Sequence, residues 1–384
     1  MARLNGDVAL SLDLHRRAEE LMLRADEALL RGDADEARQA FSQAADFELE
    51  AIATVPSERV RTRGILVMSA VSLLRRGGRV PDALSLAYRL LSQAPIADWV
   101  TNQLESTLDE LRSERRAQLA GYEVTPHVFE WALKGPAIFV GEGPMGLVLQ
   151  KIDQVMKYGT RVGEWLGGFE LRRTGPPPRA ARELMGMTLS EPLAGSFRFR
   201  VKLLRKSVQT EMFASNQSRP DATRVAAAYL DVLQAASEPE SQRLADLVPQ
   251  EDYREAFLQL VRSLAPDGKQ VTSVEVADTA ATAAGRPTKL SRHTAITIRD
   301  HMLAARPVGQ EETYEDILRA LDLNHGWISL GEPERVRLHV DKASPVLEDV
   351  VGPLVNRQVR VLAYRKRQRL VIRDIEPTGT DDTQ

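Results

Sequence analysis

The spacing of small and aromatic residues between positions 18 and 51 constrains the fold of this chain more than any other feature. Gly32 separates two segments of helical periodicity, and Ala37, Phe41 and Ala44 follow it at successive intervals of five, four and three residues. Small residues at such spacing let two helices approach closely, and an aromatic side chain between them fills the remaining groove. This segment is therefore predicted to form a helical hairpin whose exposed face has to be covered by a neighbour.

The helical periodicity continues to about residue 118 and predicts five helices in all. A second hairpin turns at Gly78 and repeats the spacing with Ala83, Ala87 and Leu90, so that an alanine replaces the aromatic residue. The fifth helix is predicted as a cap on these two hairpins or as a connection to the next domain.

The first hairpin resembles the tetratricopeptide repeat family. Gly32, Ala37, Phe41 and Ala44 fall where that repeat has its turn glycine, its small residue, its aromatic residue and its second small residue. The resemblance covers about the first 115 residues, although the usual tryptophan, the helix-A tyrosine and the closing proline are missing. It implies a stack of helices with a concave surface that binds a protein partner, with these four residues as its scaffold. A plain helical bundle packed on the rest of the chain is the alternative.

The remaining sequence predicts an α+β multidomain protein. At 384 residues the chain is long enough for two or three domains, and its 43% hydrophobic residues are typical of globular proteins. Short apolar strands alternate with helices in the centre, and closely spaced strands near the C-terminus predict a small five-stranded β-barrel or a strongly bent sheet. The predicted organisation is a helical domain, a central α+β domain, a small β module and a disordered tail, at residues 1–120, 121–305, 306–377 and 378–384.

Composition excludes several classes of chemistry. The chain has no cysteine, which removes disulfides, thiolate metal ligands and cysteine nucleophiles. None of its six histidines lies three or four residues from another, and no serine lies in a nucleophile elbow. We therefore expect no metal site and no catalytic residue, and an enzymatic activity is the less favoured interpretation.

A GxGxxG motif at Gly141, Gly143 and Gly146 is the one dinucleotide-binding signature. It follows an apolar segment at 136–140, predicted as a strand, and precedes a predicted helix whose N-terminus could hold a phosphate. With proline at its fourth position the motif looks like that of flavoproteins. The acidic residue expected about 20 positions later should end a second buried strand, but Glu164 does not lie in an apolar run. A glycine-rich turn without a ligand is the favoured interpretation, and no cofactor is expected.

The C-terminal β-hairpin carries the strongest local charge. Between Val350 and Arg373 the chain has seven basic residues and no acidic one, with Tyr364 among them. Such a surface could bind single-stranded nucleic acid through phosphate contacts and stacking on the ring. The alternative is a charged edge that faces solvent or a partner. The candidates are Arg357, Arg360, Tyr364, Arg365, Lys366, Arg367, Arg369 and Arg373.

The functional prediction is a cytoplasmic, non-enzymatic interaction or regulatory protein that acts as an adaptor. The net charge of −3 gives no overall attraction to nucleic acid or to an anionic membrane, and no apolar run approaches a membrane span. The high Ala and Arg content suggests a bacterial source, and an accessory role in a stress or defence system is a hypothesis by analogy. A nucleic-acid-binding regulator and a dinucleotide- or flavin-binding enzyme are the alternatives, while the sequence leaves the partner and the oligomeric state open.

Overall fold

A computed structural model describes most of the chain. The described residues are 2–31, 33–56, 58–92, 98–139, 142–193, 197–206, 222–278, 287–305, 310–331, 336–340, 347–366 and 369–378. They belong to two compact units. The first comprises residues 1–126 with 204–224, and the second comprises residues 127–203 with 225–384. The segments predicted as the central domain and the β module both lie mainly in the second unit.

The first unit contains a packed series of helical hairpins between residues 10 and 119, an arrangement compatible with helical repeats. Each helix packs on the next, and the core between them consists mainly of alanine, leucine and valine. The periodicity of the sequence predicts a first helix from Leu14 to Leu30, and the observed helix begins earlier, at Ala2. The helices are α1 (Ala2–Leu30), α2 (Ala34–Thr54), α3 (Val60–Arg76), α4 (Val80–Ser92) and α5 (Asp98–Leu119).

Local signals set the ends of these helices. The Asp33 side chain accepts a hydrogen bond from the Glu36 amide at 3.0 Å and caps the N-terminus of α2. At the end of α3, Gly78 adopts a φ of +79°, a left-handed conformation that glycine reaches without steric cost. The Arg79 amide then bonds the Leu74 carbonyl at 2.8 Å, so the helix closes and the chain turns into α4.

The second unit is built on a five-stranded sheet in the order β2-β3-β1-β4-β5. Its strands are β1 (Tyr122–Lys134), β2 (Met187–Leu193), β3 (Phe197–Lys206), β4 (Ser273–Asp278) and β5 (Thr288–Ser291). The pairs β1–β4, β2–β3 and β4–β5 are antiparallel. The helices around it are α6 (Met145–Leu166), α7 (Arg179–Leu184), α8 (Ala222–Ser237), α9 (Arg243–Leu247), α10 (Glu251–Leu264) and α11 (Arg292–Ala305). A β-α-β-β-α-β succession with β1 and β3 central is the order of a split βαβ motif.

Alternating residues predict a strand at 196–204 with one apolar and one basic face, and β3 has this arrangement. Phe199, Val201 and Leu203 are buried, and the intervening Arg198, Arg200 and Lys202 lie on the opposite face. On the buried face the rings of Phe129, Trp131 and Tyr229 pack together with Tyr158 from α6. This aromatic cluster joins the sheet to α6 and α8.

A second sheet follows, and the pairing of its strands returns to its starting point in the order β10-β8-β7-β6-β9. The strands are β6 (Glu311–Asp322), β7 (Trp327–Leu330), β8 (Val336–Val340), β9 (Gln358–Lys366) and β10 (Arg369–Pro377). Strands β8 and β10 are parallel, and the other pairs are antiparallel. A π-helical segment at Leu347–Val351 and a short turn at Gly352–Leu354 connect β8 to β9. The predicted hairpin near the C-terminus is confirmed as β9 and β10.

Two predictions about the second unit were wrong. Residues 136–139 do not form a sheet strand: Gly135 and Pro136 end β1, and Phe139 makes only an isolated bridge to Glu142. The periodicity of the sequence predicts one helix across 240–264, but the helix is interrupted at Pro249, which disfavours a helical conformation in the residue before it. The acidic pair Glu311-Glu312, which the sequence places in an exposed segment, lies in β6, with Glu311 exposed and Glu312 partly buried. None of the described helices is both long and apolar enough to cross a membrane.

A buried ionic cluster ties α6 to the π-helical segment. Arg161 is fully buried and donates from Nε and Nη2 to Asp349 Oδ2, at 3.0 and 2.6 Å. Its Nη1 donates to Glu164 Oε2 at 2.8 Å, and the second oxygen of Glu164 accepts from Arg172 Nε at 2.9 Å. One guanidinium therefore compensates two buried carboxylates from segments that are far apart in the sequence.

Candidate interaction surfaces

The predicted scaffold residues of the first hairpin lie in its core. Ala37, Phe41 and Ala44 are buried in α2, while Gly32 lies outside the described residues. The Arg76 guanidinium of α3 stacks 3.7 Å from the centre of the Phe41 ring and pairs with Asp26 of α1 at 2.6 Å. These residues therefore hold three helices together and do not themselves form a binding surface.

A groove opens where the ends of three helices of the first unit meet. Its volume is about 420 Å³, within the range of small binding pockets. Seven of its nine lining residues are apolar, and the other two are arginines. The end of α2 supplies Leu49, Ile52, Ala53 and Val55; α3 supplies Arg63 and Val67; α4 supplies Leu86, Arg89 and Leu90. The groove is therefore lined mainly by apolar side chains, together with two cationic ones.

The two arginines of the groove lack ionic partners among the described residues. Arg63 is partly buried, and its Nε is shielded from solvent without a hydrogen-bond acceptor. Arg89 is exposed in the last turn of α4 and takes part in no side-chain ion pair within the described part of the chain. Nine other arginines of this unit do have carboxylate partners, at positions 16, 17, 24, 31, 38, 75, 76, 79 and 112. The groove therefore combines an apolar lining with two arginines that have no ionic partner among the described residues, a property they share with Arg59 and Arg61 at the start of α3.

A buried carboxylate near the middle of the same unit was not singled out from the sequence. Glu48 of α2 is fully buried, and one of its oxygens accepts hydrogen bonds from Ser69 Oγ and His15 Nδ1, both at 2.8 Å. The three residues belong to three different helices, so only the packed hairpins bring them together. This arrangement cross-links α1, α2 and α3.

The GxGxxG motif does not occupy the position that a dinucleotide-binding fold gives it. Gly143 lies between the end of β1 and α6, Gly146 lies in the first turn of α6, and Gly141 lies outside the described residues. A β-carbon on Gly143 would approach Ile138 Cδ1 to 3.1 Å, so this glycine permits a close packing contact. Among the described residues, the strand, phosphate turn and parallel strand of that fold are not assembled around the motif. Packing of the turn onto α6 accounts for Gly143, and the structure offers no equivalent reason for Gly146, whose surroundings are open.

Most of the candidate cations on the C-terminal hairpin have protein partners. Arg360 pairs with Glu315 and Glu376, Arg365 with Glu312, and Arg373 with Glu311. Hydrogen bonds from Tyr314 and then Arg365 lower the pKa of Glu312, and the bond to Glu315 raises the pKa of Arg360. Arg357 donates to Gln150 of α6 at 3.2 Å. A nucleic-acid phosphate would have to compete with these groups.

The two described residues that flank the hairpin tip are exposed. Lys366 and Arg369 lie there as exposed residues, and Arg367 is outside the described part of the chain. The described residues of the β module carry eight basic and nine acidic side chains, so the module has no positive net charge. Any attraction for an anion would therefore be local to the tip.

Three ring side chains form an aromatic row on the face of the second sheet that points away from its core, a grouping that was not predicted. All three are partly buried, and Val371, which lies between two of them, is only 6% exposed. Strand pairing places Trp327 beside His339, His339 beside Val371, and Val371 beside Tyr364. Ile328 and its partner Leu338 point into the module, so alternation places Trp327 and His339 outside. The guanidinium of Arg337 lies 4.2 Å from the centre of the Trp327 ring. Tyr364 is a candidate from the sequence, whereas Trp327 and His339 are not.

Two other titratable sites are buried in the second unit. His127 Nδ1 lies 2.6 Å from Asp278 Oδ2, across β1 and β4. Lys151 of α6 donates to the Ser263 and Leu264 carbonyls at the end of α10, at 3.1 and 3.0 Å, and burial lowers its pKa to about 8. In the described part of the chain, no group of three or more His, Asp or Glu side chains could hold a metal ion. The lysine stabilises the C-terminal end of α10 by donating hydrogen bonds to carbonyls that have no partner within the helix.

Comparison of the chain with protein-family models, with curated proteins and with solved structures finds no match. The tetratricopeptide resemblance therefore depends on the residues of the first hairpin alone. The structure shows a packed series of helical hairpins that is compatible with helical repeats.

Proposed function

We propose that this chain is a non-enzymatic adaptor that binds a protein partner in the groove of its helical unit. The observation that supports the proposal is the apolar lining of that groove, which Ile52, Val67 and Leu86 share from three different helices. Burial of apolar surface is the main favourable term in protein association, at roughly 25 cal/mol per Å². The adaptor role, the assignment of the hairpins to a tetratricopeptide type and an accessory part in a bacterial stress or defence system all belong to this proposal.

The rigidity of the groove favours binding of a short segment. Its walls are helices fixed by a continuous core and by the Glu48 cross-link, so little conformational entropy would be lost from this side on binding. A volume of about 420 Å³ accommodates one or two large side chains. We therefore propose that the partner inserts a short segment with one or two apolar side chains.

Filling the groove tests this function. Ala53 is an exposed residue of the lining, so Ala53→Trp should occupy the groove without changing the core. We expect affinity purification of the full chain from its source organism, followed by mass spectrometry, to recover a stoichiometric partner that Ala53→Trp loses. Ala120→Trp, at an exposed position after α5, is the matched control and should retain the partner. A partner that binds both variants equally would contradict the proposal, and so would the recovery of none with the wild-type chain.

Nucleic-acid binding by the β module is a second candidate, because the aromatic row gives a stacking surface beside the cationic tip. The strand pairing closes on itself, which supports a small five-stranded barrel. Barrels of this type bind oligonucleotides on one outer face. Trp327 is already stacked on Arg337, and aromatic stacking contributes about 1–3 kcal/mol per base. The proposed site consists of Trp327, Arg337, His339 and Tyr364, with Arg365, Lys366 and Arg369 at the tip.

Fluorescence anisotropy with labelled dT12 and rU12 oligonucleotides at low salt tests this second candidate. We expect Trp327→Ala to weaken binding by about 5- to 150-fold, the range that corresponds to the loss of one stacked base. The triple substitution Arg365→Glu, Lys366→Glu and Arg369→Glu should also remove most of the salt dependence. Lys269→Glu, at an exposed position outside the β module, is the control. The candidate is rejected if neither oligonucleotide binds the wild-type chain.

A further inference from the structure

We infer that the groove of the helical unit is selective for an acidic apolar segment, in which carboxylates beside an inserted apolar side chain pair with Arg63 and Arg89. The inference rests on the proposed adaptor function and specifies the chemistry of the partner. It follows from the one property that separates these two arginines from most others in the unit, namely their lack of a carboxylate partner within the described residues.

The first observation that supports this inference is the environment of the Arg63 side chain. Its Nε is shielded from water and makes no hydrogen bond within the described part of the chain. A shielded polar group without a partner is costly, and a charged one more so. Because a carboxylate accepts bidentate hydrogen bonds from a guanidinium, binding of a carboxylate here would satisfy this group as well as neutralise its charge.

The start of α3 adds to the positive potential around Arg63. Arg59 caps this helix without a side-chain hydrogen bond, and Arg61 and Arg63 lie within its first turn. No acidic residue lies in that turn, although acidic side chains are the ones that stabilise a helix N-terminus. In α2, by contrast, Asp35 and Glu36 occupy the first turn. The groove is therefore bordered by a helix end whose positive charge is not compensated by the helix itself.

The apolar lining selects a peptide rather than a small anion. A phosphate or a nucleic-acid backbone would satisfy the arginines but would leave the surface of Ile52, Leu86 and Leu90 in contact with water. A segment with leucine or isoleucine next to aspartate or glutamate satisfies both. The same combination gives specificity, because a neutral or basic segment of equal hydrophobicity would leave the two guanidinium groups unpaired.

Selection from a displayed library of random 12-residue peptides tests the inference with the full chain as bait. We expect the wild-type chain to enrich peptides that combine leucine, isoleucine or phenylalanine with aspartate or glutamate. The double variant Arg63→Glu/Arg89→Glu should lose this enrichment. A matched charge reversal at two exposed positions, Arg16→Glu/Arg116→Glu, should keep it. Far-UV circular dichroism checks that each variant is folded, and Arg63→Met/Arg89→Met replaces the double reversal if that variant unfolds.

The affinity of one enriched peptide then measures how much its carboxylates contribute to binding. Replacement of its Asp and Glu residues by Asn and Gln should raise its Kd for the wild-type chain at least tenfold, and should change its Kd for Arg63→Met/Arg89→Met less than threefold, as expected when the charges on the two sides are coupled. The same coupling should weaken between 50 mM and 500 mM salt.

The outcomes separate this inference from the proposed function. Enriched peptides that are neutral or basic, and that Ala53→Trp abolishes, would overturn the acidic specificity and leave the adaptor groove intact. Acidic peptides whose enrichment survives Arg63→Glu/Arg89→Glu would also overturn it, since they would bind elsewhere. If the wild-type chain enriches no peptide that Ala53→Trp abolishes, both the inference and the proposed groove fail.

Discussion

Replacement of Arg161 by methionine is expected to lower the free energy of unfolding of the second unit by about 3–5 kcal/mol, the usual effect of removing one partner of a buried ion pair. Methionine fills much of the volume of the arginine side chain, so the loss comes mainly from charge. Asp349 and Glu164, both buried, would lose the guanidinium that compensates them, and Glu164 would keep only its bond to Arg172. Urea unfolding of the full chain, followed by tryptophan fluorescence, measures the change.

Two further variants show whether charge is the cause. Arg161→Met/Asp349→Asn should recover part of the lost stability, because the second substitution removes one of the uncompensated charges. Arg179→Met is the surface control: Arg179 is exposed and pairs with Glu183 four residues later, a type of ion pair that contributes about 0.3–0.5 kcal/mol. If Arg161→Met were no more destabilising than Arg179→Met, the buried cluster would not hold α6 to the π-helical segment.

The helical unit could be predicted from the sequence because its determinants are local. The turn at Gly78, the cap at Asp33 and the buried spacing of Ala37, Phe41 and Ala44 are each set by residues within a few turns of one another. Such signals act through backbone geometry and helical periodicity, which a single sequence contains. The groove, however, depends on which helix ends meet, and neither Arg63 nor Arg89 can be recognised as unpaired before the positions of their neighbours are known.

Strand β6 shows why the second sheet was predicted only in part. Glu311, Glu312 and Glu315 give the segment an acidic character that is unfavourable in a strand taken alone. In the sheet they lie beside β9, whose basic residues compensate them about 50 positions later in the chain. The basic residues of the hairpin therefore compensate the acidic residues of β6. The hairpin considered alone suggests more positive charge for binding nucleic acid than the sheet provides. Cross-strand pairing of this kind is non-local and leaves no periodic signal within either segment.

The aromatic row also depends on non-local strand pairing. Trp327, His339 and Tyr364 are adjacent only because β7, β8, β10 and β9 pair in that order. Composition around Tyr364 indicated one ring beside several cations, but strand order was needed to bring the tryptophan and the histidine to the same face. Candidate surfaces in this chain thus come from topology, whereas its candidate scaffold residues come from local pattern.

Phe41→Ala is expected to lower the free energy of unfolding of the helical unit by about 3–5 kcal/mol, the range for truncation of a buried phenylalanine. The ring is 2% exposed and packs in the core between α1, α2 and α3. Its removal leaves a cavity and takes away the surface on which Arg76 stacks. Thermal and urea unfolding followed by circular dichroism at 222 nm measure the loss, and Phe41→Leu, which keeps most of the volume, should cost less than about 1.5 kcal/mol.

Phe41→Ala also tests whether the core residues of the hairpin and the residues that line the groove have separate roles. Phe41 does not line the groove, so the fraction of Phe41→Ala that stays folded should bind the selected peptide with an unchanged Kd. Arg63→Met/Arg89→Met should show the opposite behaviour, with weaker binding and little change in stability, because neither arginine has an ionic partner in the described part of the chain to lose. A loss of affinity in folded Phe41→Ala equal to that of the arginine variant would mean that the ring shapes the groove directly. In that case the division between core residues that build the hairpin and exposed residues that recognise the partner would be wrong.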